Sequence, residues 1–232
     1  MGAYGNQQTA IAGMKADSAV LSRVESASAL ETISFGQPVF SEIGAPEVVS
    51  NYKLNKSTIT LSTALITSNS VIVTVNGVST TATVFATTHI ALMEAIKVKV
   101  EALGYTVTIV GSGDTALGFV IEKANTNIVA TWVTTLGTGQ PTNTVVQSST
   151  QIFRGIARFI AKEPGGYFAN EAVSIGAIGQ YWVAITGTIT AFSKAYYVIS
   201  TGLFTVTAGS NVDLGVYFQS NNDTGFAVIE LN

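Results

Sequence analysis

The chain has 232 residues, of which 47% are hydrophobic and only 11% are charged, against roughly 25% charged residues in an average soluble domain. Its 11 Lys and Arg residues are outnumbered by 14 Asp and Glu residues, so it lacks the basic excess that neutralises nucleic-acid phosphates. Cysteine is absent and His89 is the one histidine, which removes disulfides, thiolate nucleophiles and Cys-based zinc sites. We expect no cofactor, no metal site and no nucleic-acid partner.

The apolar residues do not predict a membrane protein. Thr, Ser, Gly and Asn interrupt them throughout, and no run approaches the ~18 apolar residues of a membrane-spanning helix. The first six residues lack the basic and apolar regions of a secretory signal. We expect a soluble chain made in the cytoplasm. Because charge normally keeps protein surfaces apart, we also expect other subunits to cover much of its surface.

Residues 1–30 predict an extended N-terminal arm. The segment is rich in Ala, Gly, Gln and Ser, and it has no aromatic residue after Tyr4. Such a composition buries too little apolar surface to order itself alone. We therefore expect a neighbouring subunit to hold the arm in place.

Residues 31–56 and 144–232 are predicted to form a β-barrel or β-sandwich base domain. From Gln151 onward, short runs of β-branched and aromatic residues follow one another at about ten-residue spacing, which is typical of these folds. Neighbouring side chains on a strand point to opposite faces. In each pair of adjacent aromatics, one member should therefore pack in the core while the other faces a partner or ligand; the pairs are Tyr181-Trp182, Tyr196-Tyr197 and Tyr217-Phe218.

Residues 57–143 predict a small inserted α+β domain of the ββαββ type. The Asn76-Gly77 dipeptide between alternating residues is a strong hairpin signal. Thr88 can cap a helix that runs over residues 89–103, and Gly104 ends it. The predicted fold class is therefore mainly β: a barrel or sandwich base domain with an inserted α+β domain and an extended N-terminal arm.

Two motifs look catalytic, and both are better explained as turns. Residues 111–116 match the G-x-G-x-x-A dinucleotide fingerprint, but a strand is predicted to follow them instead of the required helix. Asp223-Thr224-Gly225 is the aspartic-protease tripeptide, whose chemistry needs two carboxylates, yet it occurs once, in a polar loop. His89 has no acidic or thiol partner nearby in the sequence and is predicted at the surface. We expect no enzymatic activity.

Arg154 and Arg158 lie four residues apart on one predicted strand and would share a face. They could bind an acidic partner through bidentate contacts. The alternative is an ordinary solvated strand face.

Several segments resemble the structural cement proteins of tailed bacteriophages, the head decoration family. The resemblance covers roughly residues 8–45 and 151–232, whereas residues 57–143 depart from the shortest family members. It lies in six short segments: IAGMKAD at 11–17, ISFGQPV at 33–39, FRGIA at 153–157, residues 167–179, YWV at 181–183 and GFAVIEL at 225–231.

The resemblance implies a non-enzymatic virion protein that binds the outer surface of the phage capsid and stabilises contacts between major capsid protein subunits. It also implies a symmetric homo-oligomer, for which we favour a trimer over a dimer. The negative net charge suits the outer capsid surface better than the DNA-lined interior. The residues predicted for the capsid or oligomer interface are Gly13, Met14, Asp17, Phe35, Gly36, Arg154, Tyr181 and Trp182.

A second hypothesis stays open at this stage. The chain could be a virion-surface adhesin or glycan-binding module that acts through the inserted domain. Its Thr-rich strands, or the aromatic pairs, would then contact the ligand.

Overall fold

The computed structural model describes residues 11–16, 23–62, 64–66, 69–85, 87–134, 142–160 and 165–232. About half of these residues lie in strands, and the described part of the chain has one α-helix. The prediction of a mainly β protein is confirmed.

The elements are numbered in chain order. The first strands are β1 (Arg23–Ala29), β2 (Ile33–Ser34), β3 (Pro38–Ser41), β4 (Val48–Val49), β5 (Lys56–Leu61), β6 (Ser70–Val75), β7 (Val78–Ser79) and β8 (Thr83–Val84). Helix α1 (His89–Glu101) is followed by β9 (Thr106–Val110), a 3-10 turn (Gly113–Thr115), β10 (Gly118–Glu122), β11 (Ala130–Thr134) and β12 (Asn143–Ser148). The last strands are β13 (Ile152–Ala157), β14 (Gly166–Tyr167), β15 (Ala172–Ala184), β16 (Lys194–Val198), β17 (Leu203–Thr205), β18 (Val212–Phe218) and β19 (Phe226–Leu231).

The chain divides into two compact units. The first consists of Met1–Tyr52 and Gln151–Asn232, and the second of Lys53–Thr150. Strand β12 was predicted largely within the base domain, but it pairs with β5 along its whole length and lies in the second unit. The pairing of β12 with β5 joins segments more than 80 residues apart, which local sequence signals do not report.

The first unit is built on a sheet of nine strands that curls into a half-barrel. Strand β15 organises this sheet because its two halves have different partners. Residues 172–178 pair with β1, and residues 179–184 pair with β19. Beyond β19 the sheet continues through β18 and β16 to β17.

A glycine in the middle of β15 makes room for an aromatic ring. A Cβ atom on Gly176 would lie 2.2 Å from Cζ of Tyr181. The Tyr181 ring is fully buried, and its hydroxyl donates to the Ile178 carbonyl oxygen at 3.1 Å. Residues 172–175 and 181–185 were predicted as two separate strands, but the structure joins them in one strand that ends at Ala184.

The second unit packs two sheets and α1 around its own core. One sheet has the order β12-β5-β10-β9, and the other has the order β11-β6-β7 with β8 also paired to β6. Most of the inward residues are apolar in both sheets and in the helix; the largest fully buried ones are Ile59, Met93, Ile96, Phe119, Ile121 and Ile128.

The local signals in the second unit are confirmed. Thr88 caps α1, its side chain accepting from the Ala91 backbone N–H, and Gly104 follows the helix with φ +83°. Asn76 and Gly77 both have positive φ in the turn between β6 and β7, as a type I′ hairpin turn requires. The predicted helix continued two residues beyond Glu101, where the structure ends it.

The prediction that His89 lies at the surface is wrong. The side chain is 6% exposed, its Nε2 accepts from the Leu65 backbone N–H at 3.0 Å, and its ring lies 4.7 Å from that of Phe85. The first turn of α1 faces the core, so an imidazole that satisfies a buried loop amide fits there.

Candidate interaction face

Four of the segments that resemble cement proteins meet at two glycines. We call this place the glycine junction; it consists of Gly13, Gly36, Ala157, Phe159 and Trp182. Gly13 donates its N–H to the Trp182 carbonyl oxygen at 2.7 Å, and its own carbonyl accepts from the Phe159 N–H at 3.0 Å. Gly36 donates to the Ala157 carbonyl at 2.8 Å. Four chain segments distant in sequence therefore meet through backbone hydrogen bonds.

No larger residue fits at the two glycines of the junction. Both have left-handed backbones, with φ +77° at Gly13 and +79° at Gly36. A Cβ on Gly13 would lie 2.4 Å from the Ala157 carbonyl oxygen, and one on Gly36 would lie 2.4 Å from Cβ of Ala12. The left-handed region disfavours a Cβ, and close backbone approach excludes one here independently.

The described parts of the predicted N-terminal arm contact their own chain. Residues 13–16 run along β15, where the Trp182 N–H donates to the Met14 carbonyl at 2.9 Å and the Ala16 N–H donates to the Gln180 carbonyl at 2.8 Å. Residues 23–29 are β1, which pairs with the other half of β15. The sequence does not predict this strand, because its Ser and Ala residues do not form an alternating pattern of large apolar side chains. Residues 1–10 and 17–22 lie outside the described residues.

The eight residues predicted for an interface fall into three groups. Gly13, Phe35, Gly36 and Tyr181 are buried inside their own chain, so in this structure they pack the fold and offer no surface to a partner. Met14, Arg154 and Trp182 are partly exposed. Asp17 lies outside the described residues.

The aromatic pairs are split between two faces of the curled sheet, as predicted. Tyr181, Tyr197 and Phe218 are at most 4% exposed and belong to the core. Their neighbours Trp182, Tyr196 and Tyr217 lie on the opposite face, and Tyr217 is 48% exposed. We call the latter three residues, with Lys194, Asp213 and Glu230, the aromatic face.

Strand pairing places the polar members of the aromatic face among its rings. Tyr217 pairs with Lys194 on one side and with Glu230 on the other, while Tyr196 pairs with Asp213. The Lys194 ammonium lies 5.8 Å from the centroid of the Tyr196 ring, within the reach of a cation–π contact. Nothing in the sequence singled out these charged residues, because their pairing depends on the register between strands.

One ion pair neutralises charge on the aromatic face. Lys194 Nζ and Asp213 Oδ2 are 2.5 Å apart. The Lys194 ammonium lowers the pKa of Asp213, helped by the Gly215 N–H that donates to the same carboxylate, and the carboxylate in turn raises the pKa of Lys194. The face therefore presents three rings, one ion pair and the Glu230 carboxylate, and aromatic residues are enriched in protein interfaces.

Arg154 binds an acid, but the acid belongs to its own chain. Its guanidinium contacts Glu25 Oε2 at 2.5 Å and also donates to the Pro46 carbonyl at 3.1 Å. The hydrogen bond from Arg154 is the main cause that lowers the pKa of Glu25. Arg158 lies just beyond β13, and the register of β13 against β3 shifts between Phe153 and Gly155. The two arginines were predicted on one strand, but β13 ends one residue before Arg158.

A cavity of about 230 Å³ lies beside Arg154 in the first unit. Residues of β13, β18 and β19 line it, among them Phe153, Leu214 and Glu230. Arg154 is already bound to Glu25 and to the Pro46 carbonyl, so its charge in the cavity is compensated by the protein itself.

Both catalytic-looking motifs form turns. Residues 111–116 connect β9 to β10, a strand as predicted, through the 3-10 turn. Asp223 and Phe226 bond to each other through both backbone groups, with Thr224 and Gly225 at positive φ between them. Among the described residues no group of three or more His, Cys, Asp and Glu side chains is placed to hold a metal ion.

No helix within the described ranges is both long enough and apolar enough to span a membrane. In the comparisons with known proteins, no family model matches the chain, and no curated protein matches it.

Proposed function

We propose that the protein is a non-enzymatic virion subunit that binds the outer surface of a phage capsid as a homo-oligomer, a trimer in preference to a dimer, and stabilises contacts between major capsid protein subunits. In this proposal the first unit is the base domain, and the second unit is a domain inserted into it. The resemblance to structural cement proteins is the source of the proposed partner.

The observation that carries the proposal is the convergence of the resembling segments at the glycine junction. Gly13, Gly36, Ala157 and Trp182 come from four of the six resembling segments, and they meet through hydrogen bonds that connect the main chain directly. Their convergence supports a shared fold and, through it, a shared function.

The aromatic face supplies the proposed contact surface. Trp182, Tyr196 and Tyr217 stand on the side of the sheet away from the core, and Tyr residues are enriched where protein interfaces concentrate their binding energy. The pairing of Lys194 with Asp213 lowers the electrostatic cost of covering this part of the face.

The test measures binding of the purified protein to undecorated capsid shells of the phage that encodes it, by cosedimentation. We expect wild type to bind, and the double substitution Tyr196→Ser with Tyr217→Ser to weaken binding more than tenfold, because two interface rings are lost. The matched control is Phe168→Ser, which removes an aromatic ring that is 46% exposed and lies outside the aromatic face. It should bind as wild type does.

Two results would overturn the proposal. One is that the wild-type protein does not bind the capsid shells but binds a glycan, which would favour the adhesin hypothesis. The other is unchanged binding by the double variant, provided that urea unfolding shows it folded, which would remove the aromatic face from the contact.

A further inference from the structure

The outward surface of one sheet in the second unit is a regular array of small side chains. In the sheet β12-β5-β10-β9, alternate residues point inward to the core, and the others form three rows that cross all four strands. We call these twelve residues the threonine face. From β12 to β9 the rows read Ser148-Lys56-Glu122-Thr106, Val146-Thr58-Val120-Thr108 and Thr144-Thr60-Gly118-Val110.

The threonine face is almost free of charge; it is exposed mainly on its two outer strands and half-buried over most of its central ones. Val146 is 55% exposed and Val110 is 45% exposed. The two charged members, Lys56 and Glu122, stand side by side on the central strands with Nζ and Oε1 2.9 Å apart. A surface with so little charge lacks the repulsion that normally keeps protein surfaces apart.

Each row of the threonine face is complementary to the same row read in the opposite strand order. A two-fold axis parallel to the strands and midway between β5 and β10 would place β5 opposite β10 of a second copy, and β12 opposite β9. Each residue would stay in its row. Lys56 would therefore face Glu122 of the second copy, and Glu122 would face Lys56 of the second copy. In the middle row each valine would face a threonine: Val146 would face Thr108, and Val120 would face Thr58.

We propose that the threonine face packs against the threonine face of a second copy of this chain about such an axis. An isologous contact needs one surface that complements itself, and here both the charges and the sizes of the side chains meet that condition. This proposal does not depend on the proposed capsid function.

The size of the face indicates a weak contact. Four strands about 4.8 Å apart, carrying three rows about 7 Å apart, cover roughly 400 Å². A stable interface buries about 800 Å² on each partner. We therefore expect association at high protein concentration, or where an assembly already holds two copies close together.

Crosslinking tests the proposed register directly, since the chain has no cysteine of its own. Val146→Cys and Thr108→Cys are made as separate proteins and mixed with a bis-maleimide that spans about 10 Å, the spacing of packed sheets. The two positions should face each other across the contact. We expect crosslinked dimer from the mixture and little from either variant alone. In either variant alone, the two identical cysteines of a dimer would be displaced from each other across the sheet by three strand spacings, about 14 Å.

A second experiment measures the contact by sedimentation equilibrium of the full chain at increasing concentration. Val146→Lys should weaken self-association at least tenfold. The control Val133→Lys makes the same change at a residue that is 51% exposed on the other sheet of the unit, and it should leave self-association unchanged. Lys56→Glu should weaken it too, and adding Glu122→Lys should restore it, because the facing charges become opposite again.

Three outcomes would overturn the proposal. The first is wild type that shows no concentration-dependent association attributable to this face, so that Val146→Lys and Val133→Lys behave alike. The second is efficient crosslinking of Val146→Cys alone. The third is a charge reversal that fails to restore association.

Discussion

At the scale of single residues, the fold depends on places where only one side chain fits. Gly13 and Gly36 allow two main-chain segments to approach each other, and Gly176 leaves room for the Tyr181 ring. His89 supplies an acceptor to a buried amide. None of these constraints can be read from hydropathy, because each depends on a contact with a residue far along the chain.

The first prediction concerns Gly13. Gly13→Ala should lower the free energy of unfolding by about 3 kcal/mol or more, since strain from the left-handed backbone, about 1 to 2 kcal/mol, adds to the collision with the Ala157 carbonyl. Gly187→Ala is the matched control, because Gly187 has φ +79° and open space around its Cβ position. It should cost only about 1 kcal/mol. Urea unfolding of both variants measures the difference, and equal losses would contradict the argument.

At the scale of elements, the sequence predicted what is local. The helix cap at Thr88, the Asn76-Gly77 turn and the alternation that splits Tyr217 from Phe218 are each set within a few residues of chain, and all were predicted correctly. Strand β1 was missed because its pairing with β15, about 150 residues away, is what defines it as a strand.

The candidate face was predicted only in part. Trp182 was identified through its aromatic neighbour, but Lys194 and Asp213 were not identified because inter-strand register brings them together. Arg154 was expected to bind an acidic partner, and the structure supplies Glu25 from β1, the strand that the sequence reading placed in an arm. Because β1 was not predicted as a strand, the ion pair between Glu25 and Arg154 was not predicted either.

The pair of Glu25 and Arg154 predicts a pH dependence. Since the folded state lowers the pKa of Glu25 below its ordinary 4.5, the pair contributes stability above that pH, and the contribution is lost as the pH falls through the lower folded-state value. Glu25→Gln should therefore cost about 1 kcal/mol at pH 7 and progressively less below about pH 4. Urea unfolding between pH 7 and pH 3 measures both effects.

A double-mutant cycle separates this ion pair from the other contacts of Arg154. Arg154→Met also removes the hydrogen bond to the Pro46 carbonyl, so it should cost more than Glu25→Gln. Adding Glu25→Gln to Arg154→Met should then cost little further. Additive losses would show that the two side chains act separately.

At the scale of the whole molecule, the scarcity of charge is not spread over one surface. The first unit has the aromatic face and the second has the threonine face. Each face carries one ion pair between a lysine and a carboxylate. Covering a paired charge costs less than covering an unpaired one, which supports our proposal that the protein works as part of an assembly.

The last prediction follows from the separate cores of the two units. Every residue of the core around Phe119 belongs to the second unit, and the cores around Tyr181 and Ile175 belong to the first. The chain has two tryptophans, and each unit holds one: Trp182 and Trp132. Trp182→Phe leaves fluorescence that reports on the second unit, and Trp132→Phe leaves fluorescence that reports on the first.

Adding Ile121→Ala, which empties a fully buried site in the second core, should destabilise that unit by about 2 to 5 kcal/mol. In urea unfolding, the Trp132 transition should then move to lower urea while the Trp182 transition stays in place. Val183→Ala, at a fully buried position in the first unit, is the reciprocal variant and should move only the Trp182 transition. If either substitution moves both transitions equally, the two units unfold as one cooperative body, because separate cores alone would not couple them.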